Sequence, residues 1–169
     1  MTMDTEPLAL ALANTLQGSP RGDVDHLAGD GAESWSGAML SRIGAKRARG
    51  APRGLVELRD AVRRLLDAAA DGTRPDAGSI KVVNDAAATP PPILRWGRAP
   101  SLAGGSEQLL GALARSAIEL LASADRQPLR RCASAPCRRL FLADDPRRVF
   151  CSETCGTRAR VRRRRGLVT

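Results

Sequence analysis

Cys132-Ala133-Ser134-Ala135-Pro136-Cys137 and, after thirteen intervening residues, Cys151-Ser152-Glu153-Thr154-Cys155 contain all four cysteines of the 169-residue chain. Directly behind them runs Gly156-Thr157-Arg158-Ala159-Arg160-Val161-Arg162-Arg163-Arg164-Arg165. Two thiol pairs on two short loops suit a tetrahedral Zn²⁺, because one loop cannot surround the ion. Four thiolates leave no open position for water, so such a site is structural rather than catalytic. Pro136 stiffens the first loop, Ser152 stands where a helix N-cap is expected, and Cys155 falls in the first turn of that helix. Between the pairs, Leu140-Phe141-Leu142 and Val149-Phe150 read as two short strands turning at Asp144-Asp145-Pro146. Both phenylalanines of the protein lie here, which suits a module too small to build a core without its metal. Knuckle, hairpin, then a helix carrying the last ligands is the layout of a treble-clef-like zinc finger. Two structural disulfides would use the same four residues, but the chain lacks the signal-peptide pattern expected with them.

Charge divides the chain at the same place. Residues 1–127 hold fifteen Lys and Arg against fifteen Asp and Glu. Residues 128–169 hold twelve Arg against Asp144, Asp145 and Glu153, and so carry the whole net charge of +9. On a helix at about 100° per residue, Arg158, Arg162 and Arg165 form one stripe and Arg160, Arg163 and Arg164 a broad opposing one. Ala159 and Val161 are left to lean on the zinc core. Arg130, Arg131, Arg138, Arg139, Arg147 and Arg148 widen the same positive surface. The planar guanidinium fork suits phosphate and also bonds guanine bidentately at O6 and N7. No lysine or aromatic side chain is interleaved in the basic run, which favours duplex phosphate over stacking on single strands. Two rivals stay open: a solvated, disordered basic tail, and an RNA-binding, zinc-ribbon-like module, since arginines alone do not separate A-form from B-form phosphate.

The neutral part, residues 1–127, reads as a mainly helical domain. Pro7 to about Leu16 is a short apolar helix ended by the breaker Gln17-Gly18-Ser19-Pro20, and a polar Gly/Asp-rich loop follows. Trp35, Met39, Leu40 and Ile43 share one face of a second helix ending near Gly44, and residues 45–54 are a basic linker. Leu55, Leu58, Val62, Leu65, Leu66 and Ala69 recur at the helical period to about Ala70, with Gly72 closing that helix. Asp76 is the expected N-cap of a helix through Ile80, Val83 and Ala87 that Pro90-Pro91-Pro92 stops. Ile93 to Trp96 and Ala99 to Leu102 would pair as a small hairpin across Gly97-Arg98. Ser106 opens a helix with Leu109, Leu110, Leu113, Ala117, Leu120 and Leu121 on one face, and Asp125 to Pro128 marks the boundary.

Arginine outnumbers lysine 25 to 2, a bias that reads as a GC-rich bacterial genome and leaves an individual arginine in residues 1–127 with little meaning. No run approaches the roughly 20 apolar residues of a membrane helix, and Asp4 and Glu6 precede the apolar start where a signal peptide would carry Lys or Arg. A cytoplasmic, non-membrane protein is expected. Residues 1–127 contain no His/Cys/Asp cluster, Gly-rich phosphate loop or nucleophile elbow, so an enzyme is not expected. The polar group Asn14, Asp23, Asp25 and His26 is read as a capped loop between helices.

The chain resembles the bacterial CGNR zinc-finger proteins that carry an N-terminal ABATE domain, over almost its whole length. Leu10-Ala11-Leu12-Ala13-Asn14-Thr15 is similar to that domain's opening pattern, as are Leu58-Arg59-Asp60, the Asn84-to-Pro92 segment and Leu113-Ala114-Arg115-Ser116-Ala117. Leu129-Arg130-Arg131-Cys132, Cys137, Leu140-Phe141-Leu142, Phe150-Cys151-Ser152 and Cys155 to Arg163 follow the finger. Thr157 stands where the family usually has Asn, and the stretch between Leu142 and Phe150 is short. The resemblance implies a DNA-binding transcriptional regulator.

The expected architecture is therefore mainly α, in the α+β class: a helical domain with a small β-hairpin over residues 1–127, then the finger with its basic C-terminal helix over residues 128–169. One structural Zn²⁺ is expected on Cys132, Cys137, Cys151 and Cys155. The expected partner is nucleic acid, in the form of duplex DNA. The first domain would serve as a sensor of a small-molecule effector or as a homodimerisation unit.

Overall fold

The structure is a computed structural model that describes residues 6–45, 50–96, 100–103, 105–123 and 128–166. It is mixed α and β, with the helices dominant. Helices α1 (Leu8–Ala13), α2 (Gly31–Arg42), α3 (Leu55–Asp71), α4 (Ala77–Ala87) and α5 (Ser106–Ala122) form the body, and α6 (Glu153–Arg164) ends the finger. Among the described residues, three antiparallel strand pairs accompany them: β1 (Leu16–Ser19) with β2 (Gly22–Asp25), β3 (Ile93–Trp96) with β4 (Pro100–Ala103), and β5 (Leu129–Arg131) with β6 (Leu140–Leu142).

The body is organised around α1. Ala9 to Ala13 are all buried, as expected of a helix that is apolar on every side. It packs against α3 and α5, and α4 packs between the same two helices. The amphipathic α3 turns Leu55, Leu58, Ala61, Val62, Leu65 and Leu66 inward, while α5 contributes Leu109, Leu113, Ala114, Ala117 and Leu120. Gly72 ends α3 at φ +65°, a left-handed conformation that glycine adopts without the cost of a Cβ. Asp76 caps α4 as its sequence predicts, accepting a hydrogen bond from Ser79 N at 2.7 Å.

Several expectations need correction. The first helix stops at Ala13, and residues 16–25 form a hairpin instead of a breaker and a loop. Its turn is stabilised by Ser19 Oγ, which donates to Gly22 O at 2.7 Å and accepts from Arg21 N at 3.2 Å. Ile80 is exposed, because Ser79 takes the inward position of α4 and its hydroxyl accepts from Arg64 Nε at 2.8 Å. Ala69 is also exposed. The β3–β4 pairing matches expectation with its second strand one residue later, Ile93 opposite Ala103 and Trp96 opposite Pro100; the anticipated turn at Gly97-Arg98 lies outside the described residues. Residues 46–49 of the basic linker and residues 125–127 of the expected boundary also lie outside them.

The finger's sheet differs as well. β6 pairs with β5, Leu129 opposite Leu142 and Arg131 opposite Leu140, and Val149-Phe150 forms no strand. The carbonyls that a strand there would use are taken. Val149 O accepts from Ala133 N at 2.9 Å, and the Arg148 guanidinium donates to Phe150 O at 3.2 Å and Cys151 O at 2.9 Å. Leu129 and Leu140 join the same buried cluster as the body's leucines, so the finger's sheet completes the helical core.

Candidate metal centre and basic helix

Cys132 directly follows β5, and its N–H donates to Arg139 O at 2.9 Å, closing the base of the first loop. Within that loop Cys137 N donates to Ser134 O at 2.7 Å. The second pair is placed by α6: Ser152 Oγ accepts from Cys155 N at 3.3 Å, the expected cap. Cys151 N points back to Cys132 Sγ at 3.4 Å, tying the loops together. All four sulfurs lie within 4.8 Å of one another, with Cys137 to Cys151 at 3.8 Å and Cys151 to Cys155 at 3.6 Å. A tetrahedral ion with Zn–S of about 2.3 Å sets its sulfurs about 3.8 Å apart, so the donor set fits zinc, and all four cysteines are free thiols.

The protonation energetics also call for a cation. Burial pushes the Cys151 thiol up from its ordinary value, and the neighbouring Cys132 and Cys137 add to the rise. Burial likewise raises Cys137. At Cys155 burial works against ionisation, yet hydrogen bonds from Ser152 and the other thiols bring it below its ordinary value. Burial thus opposes ionisation of Cys137 and Cys151, and a bound dication reverses that preference. Zn²⁺ bound here supplies the link between the two loops.

Around the sulfurs the finger's own core is small: Phe141 and Ala143 are buried, with Phe150 partly so. A Cβ on Gly156 would lie 3.4 Å from the Phe150 ring, so the ring packs where a larger residue would crowd it. The Arg148 guanidinium lies over the Phe141 ring, 5.1 Å from its centroid, and also pairs with Asp144 at 3.0 Å. Arg148 is thus committed to the fold.

The finger is fastened to the body by groups that the sequence does not advertise. The Asn14 side chain pairs with the backbone of Leu140 as a neighbouring strand would, Nδ2 donating to Leu140 O and Oδ1 accepting from Leu140 N, both at 3.0 Å and buried. Arg63 donates to Ala13 O at 2.9 Å, Leu16 O at 3.1 Å and Arg138 O. Gly18 lies directly on the cysteine loop, where a Cβ would overlap the Pro136 carbonyl. Asp23 pairs with Arg138 at 3.0 Å, Glu6 with Arg139 at 3.4 Å, and Asp67 and Asp71 with Arg131 at 3.0 and 2.8 Å. Arg59, 4% exposed, pairs with Asp25 at 2.6 Å, and this hydrogen bond holds the Asp25 carboxyl below the usual carboxylate range. Single arginines of the body therefore carry structural meaning that composition obscured.

Of the arginines expected to face nucleic acid, Arg138, Arg139 and Arg148 are turned to carboxylates of the chain itself. Arg147 is exposed. On α6, Arg158 and Arg162 are half-buried toward the finger, Arg162 reaching Ala135 O at 3.5 Å, whereas Arg160, Arg163, Arg164 and Arg165 are exposed. Ala159 is half-buried as anticipated, but Val161 is exposed because it lies on the side of α6 away from Cys155.

A family model named ABATE, described as "Putative stress-induced transcription regulator", matches residues 6–124. A second, the CGNR zinc finger, matches residues 129–166. No curated protein matches the chain. With the finger's match and the geometry together, the four cysteines form a zinc-binding site.

Proposed function

The chain belongs to the ABATE family and ends in a CGNR zinc finger, and from that premise we propose that it is a zinc-dependent regulator that binds duplex DNA through α6. The observation that carries the proposal is the outer face of this helix. Arg160, Arg163, Arg164 and Arg165 are exposed there, while Ser152 and Cys155 anchor the helix start to the metal cluster. Arg147 stands on the same module. A helix so cationic is self-repelling and is stabilised by an anion against its exposed side. The role proposed is binding rather than catalysis, since a closed four-thiolate site has no position for a substrate. The body's part is to fix the angle at which α6 is held, through Asn14, Gly18 and Arg63. Among the described residues no helix is long and apolar enough to cross a membrane, and action in the cytoplasm on chromosomal DNA is part of the proposal.

The test is a salt titration of zinc-loaded protein on duplex DNA, before and after chelation, with structured RNA as competitor. Each neutralised phosphate adds roughly −0.9 to the slope of log affinity against log salt, so about five contacts give a slope near −4 to −5. Chelation is expected to lower affinity and remove sequence preference. Unchanged binding after chelation would mean an arginine tail acting without its module, and preferential displacement by RNA would move the target to RNA.

A further inference from the structure

The exposed face of α6 is not uniformly cationic. Opposite Cys155, which faces the metal cluster, runs a stripe of four exposed residues, Glu153, Thr157, Arg160 and Arg164, at spacings that stack on one side of a helix. A surface built for phosphate alone has no use for a carboxylate. This stripe offers an acceptor, a hydroxyl and a donor fork in succession, the mixture displayed by base edges in the major groove.

Arg160 is the held member of the stripe. Its Nη2 donates to Thr157 Oγ1 at 3.1 Å. Its Nη1 lies over Gly156, 3.9 Å from where a Cβ would stand. A long side chain already fixed in direction loses less freedom on docking than a free one. Nε, Nη1 and the second hydrogen of Nη2 remain as donors, enough for the two parallel bonds that guanine O6 and N7 accept. Arg158, nearer the helix start, lines the cleft between α6 and the β1–β2 hairpin and is turned away from this side.

Resting on the duplex-DNA proposal above, we infer that Arg160 reads a guanine in the major groove and that Thr157 is its positioning residue, with Arg163, Arg164 and Arg165 on flanking phosphates. The experiment is selection from a random-sequence duplex library by the zinc-loaded full-length protein, repeated with Arg160→Gln, Thr157→Val and Thr157→Ser. The unaltered protein should enrich guanine at a fixed position. Arg160→Gln should reduce that preference about tenfold or more and change the salt slope little, because the proposal places Arg160 on a base and not on a phosphate. Thr157→Val should weaken preference at the same position by a smaller factor, and Thr157→Ser should restore it. Zinc content of each variant verifies that the finger has folded. Guanine preference surviving Arg160→Gln, or binding with no sequence preference at all, overturns the inference while leaving duplex binding intact. Failure of the unaltered protein to retain any duplex overturns both.

Discussion

The body buries leucines and alanines from α1, α3, α4 and α5 in one continuous core, while the finger's own cluster amounts to Phe141, Ala143 and the cysteines, with Phe150 at its edge. Their arginines differ in the same sense. Arg59 and Arg63 are drawn inward to carboxylates and carbonyls, whereas Arg163, Arg164 and Arg165 at the end of α6 are held out. One region is stabilised by apolar burial, the other by ligation, and they meet at β6, where Leu140 belongs to the body's core two residues before Leu142 and three after the ligand Cys137. A module too small for its own core thus borrows a wall from a larger one, and α6 acquires a fixed orientation.

The largest expected effect separates the two regions by removing the metal. Cys151→Ser should release zinc and unfold the finger, since structural zinc sites contribute on the order of 10 kcal/mol to such modules. Circular dichroism should show the body's helices retained, and metal analysis should show zinc lost. Loss of all helical signal would mean that the body, too, depends on the ion.

Leu140→Ala probes the shared wall and should destabilise the protein by about 2–5 kcal/mol, read by denaturant titration. Zinc affinity should fall with it. If zinc affinity is untouched, the finger stands without the body's support.

Asn14→Ala leaves the buried N–H and C=O of Leu140 without partners, costing about 1–3 kcal/mol. Hydrogen exchange should rise at Leu140 well before it rises in α3. Equal protection in the variant would show that the clamp is dispensable to the joint.

Acid should show the smallest effect. Asp25 is held below its usual range chiefly by Arg59, so its contribution is present above the unfolded carboxyl's value near pH 4 and is lost as pH falls through the lower folded value. An Asp25→Asn variant should be less stable by about 1 kcal/mol at neutral pH and converge with the parent as pH falls through the lowered folded value of Asp25. Zinc release, driven by protonation of its thiolates, should precede this step on the way down in pH. A body that loosens before zinc leaves would reverse the order.

Periodicity was informative wherever a residue's environment is set by its neighbours in sequence. The inward faces of α3 and α5, the Asp76 and Ser152 caps and the zinc ligands were all legible, because 3.6-residue spacing and ligand spacing are local properties. Asn14 was grouped with Asp23, Asp25 and His26 as a capped loop, but its partner lies 126 residues away. The strand pairing of the finger failed for a related reason. Val149-Phe150 has strand-like residues, yet Ala133 and Arg148 hold their carbonyls, and β5 was already aligned beside β6.

The sequence by itself determined that there is a helical body, that a zinc finger follows it, and that positive charge collects at the end of the chain, since composition, period and ligand type are written residue by residue. Only the tertiary structure decided which arginines face solvent. A guanidinium is equally charged wherever it stands in the sequence, and whether it meets Asp23, Glu6 or open solvent depends on which distant carboxylates the packed core brings within hydrogen-bonding reach.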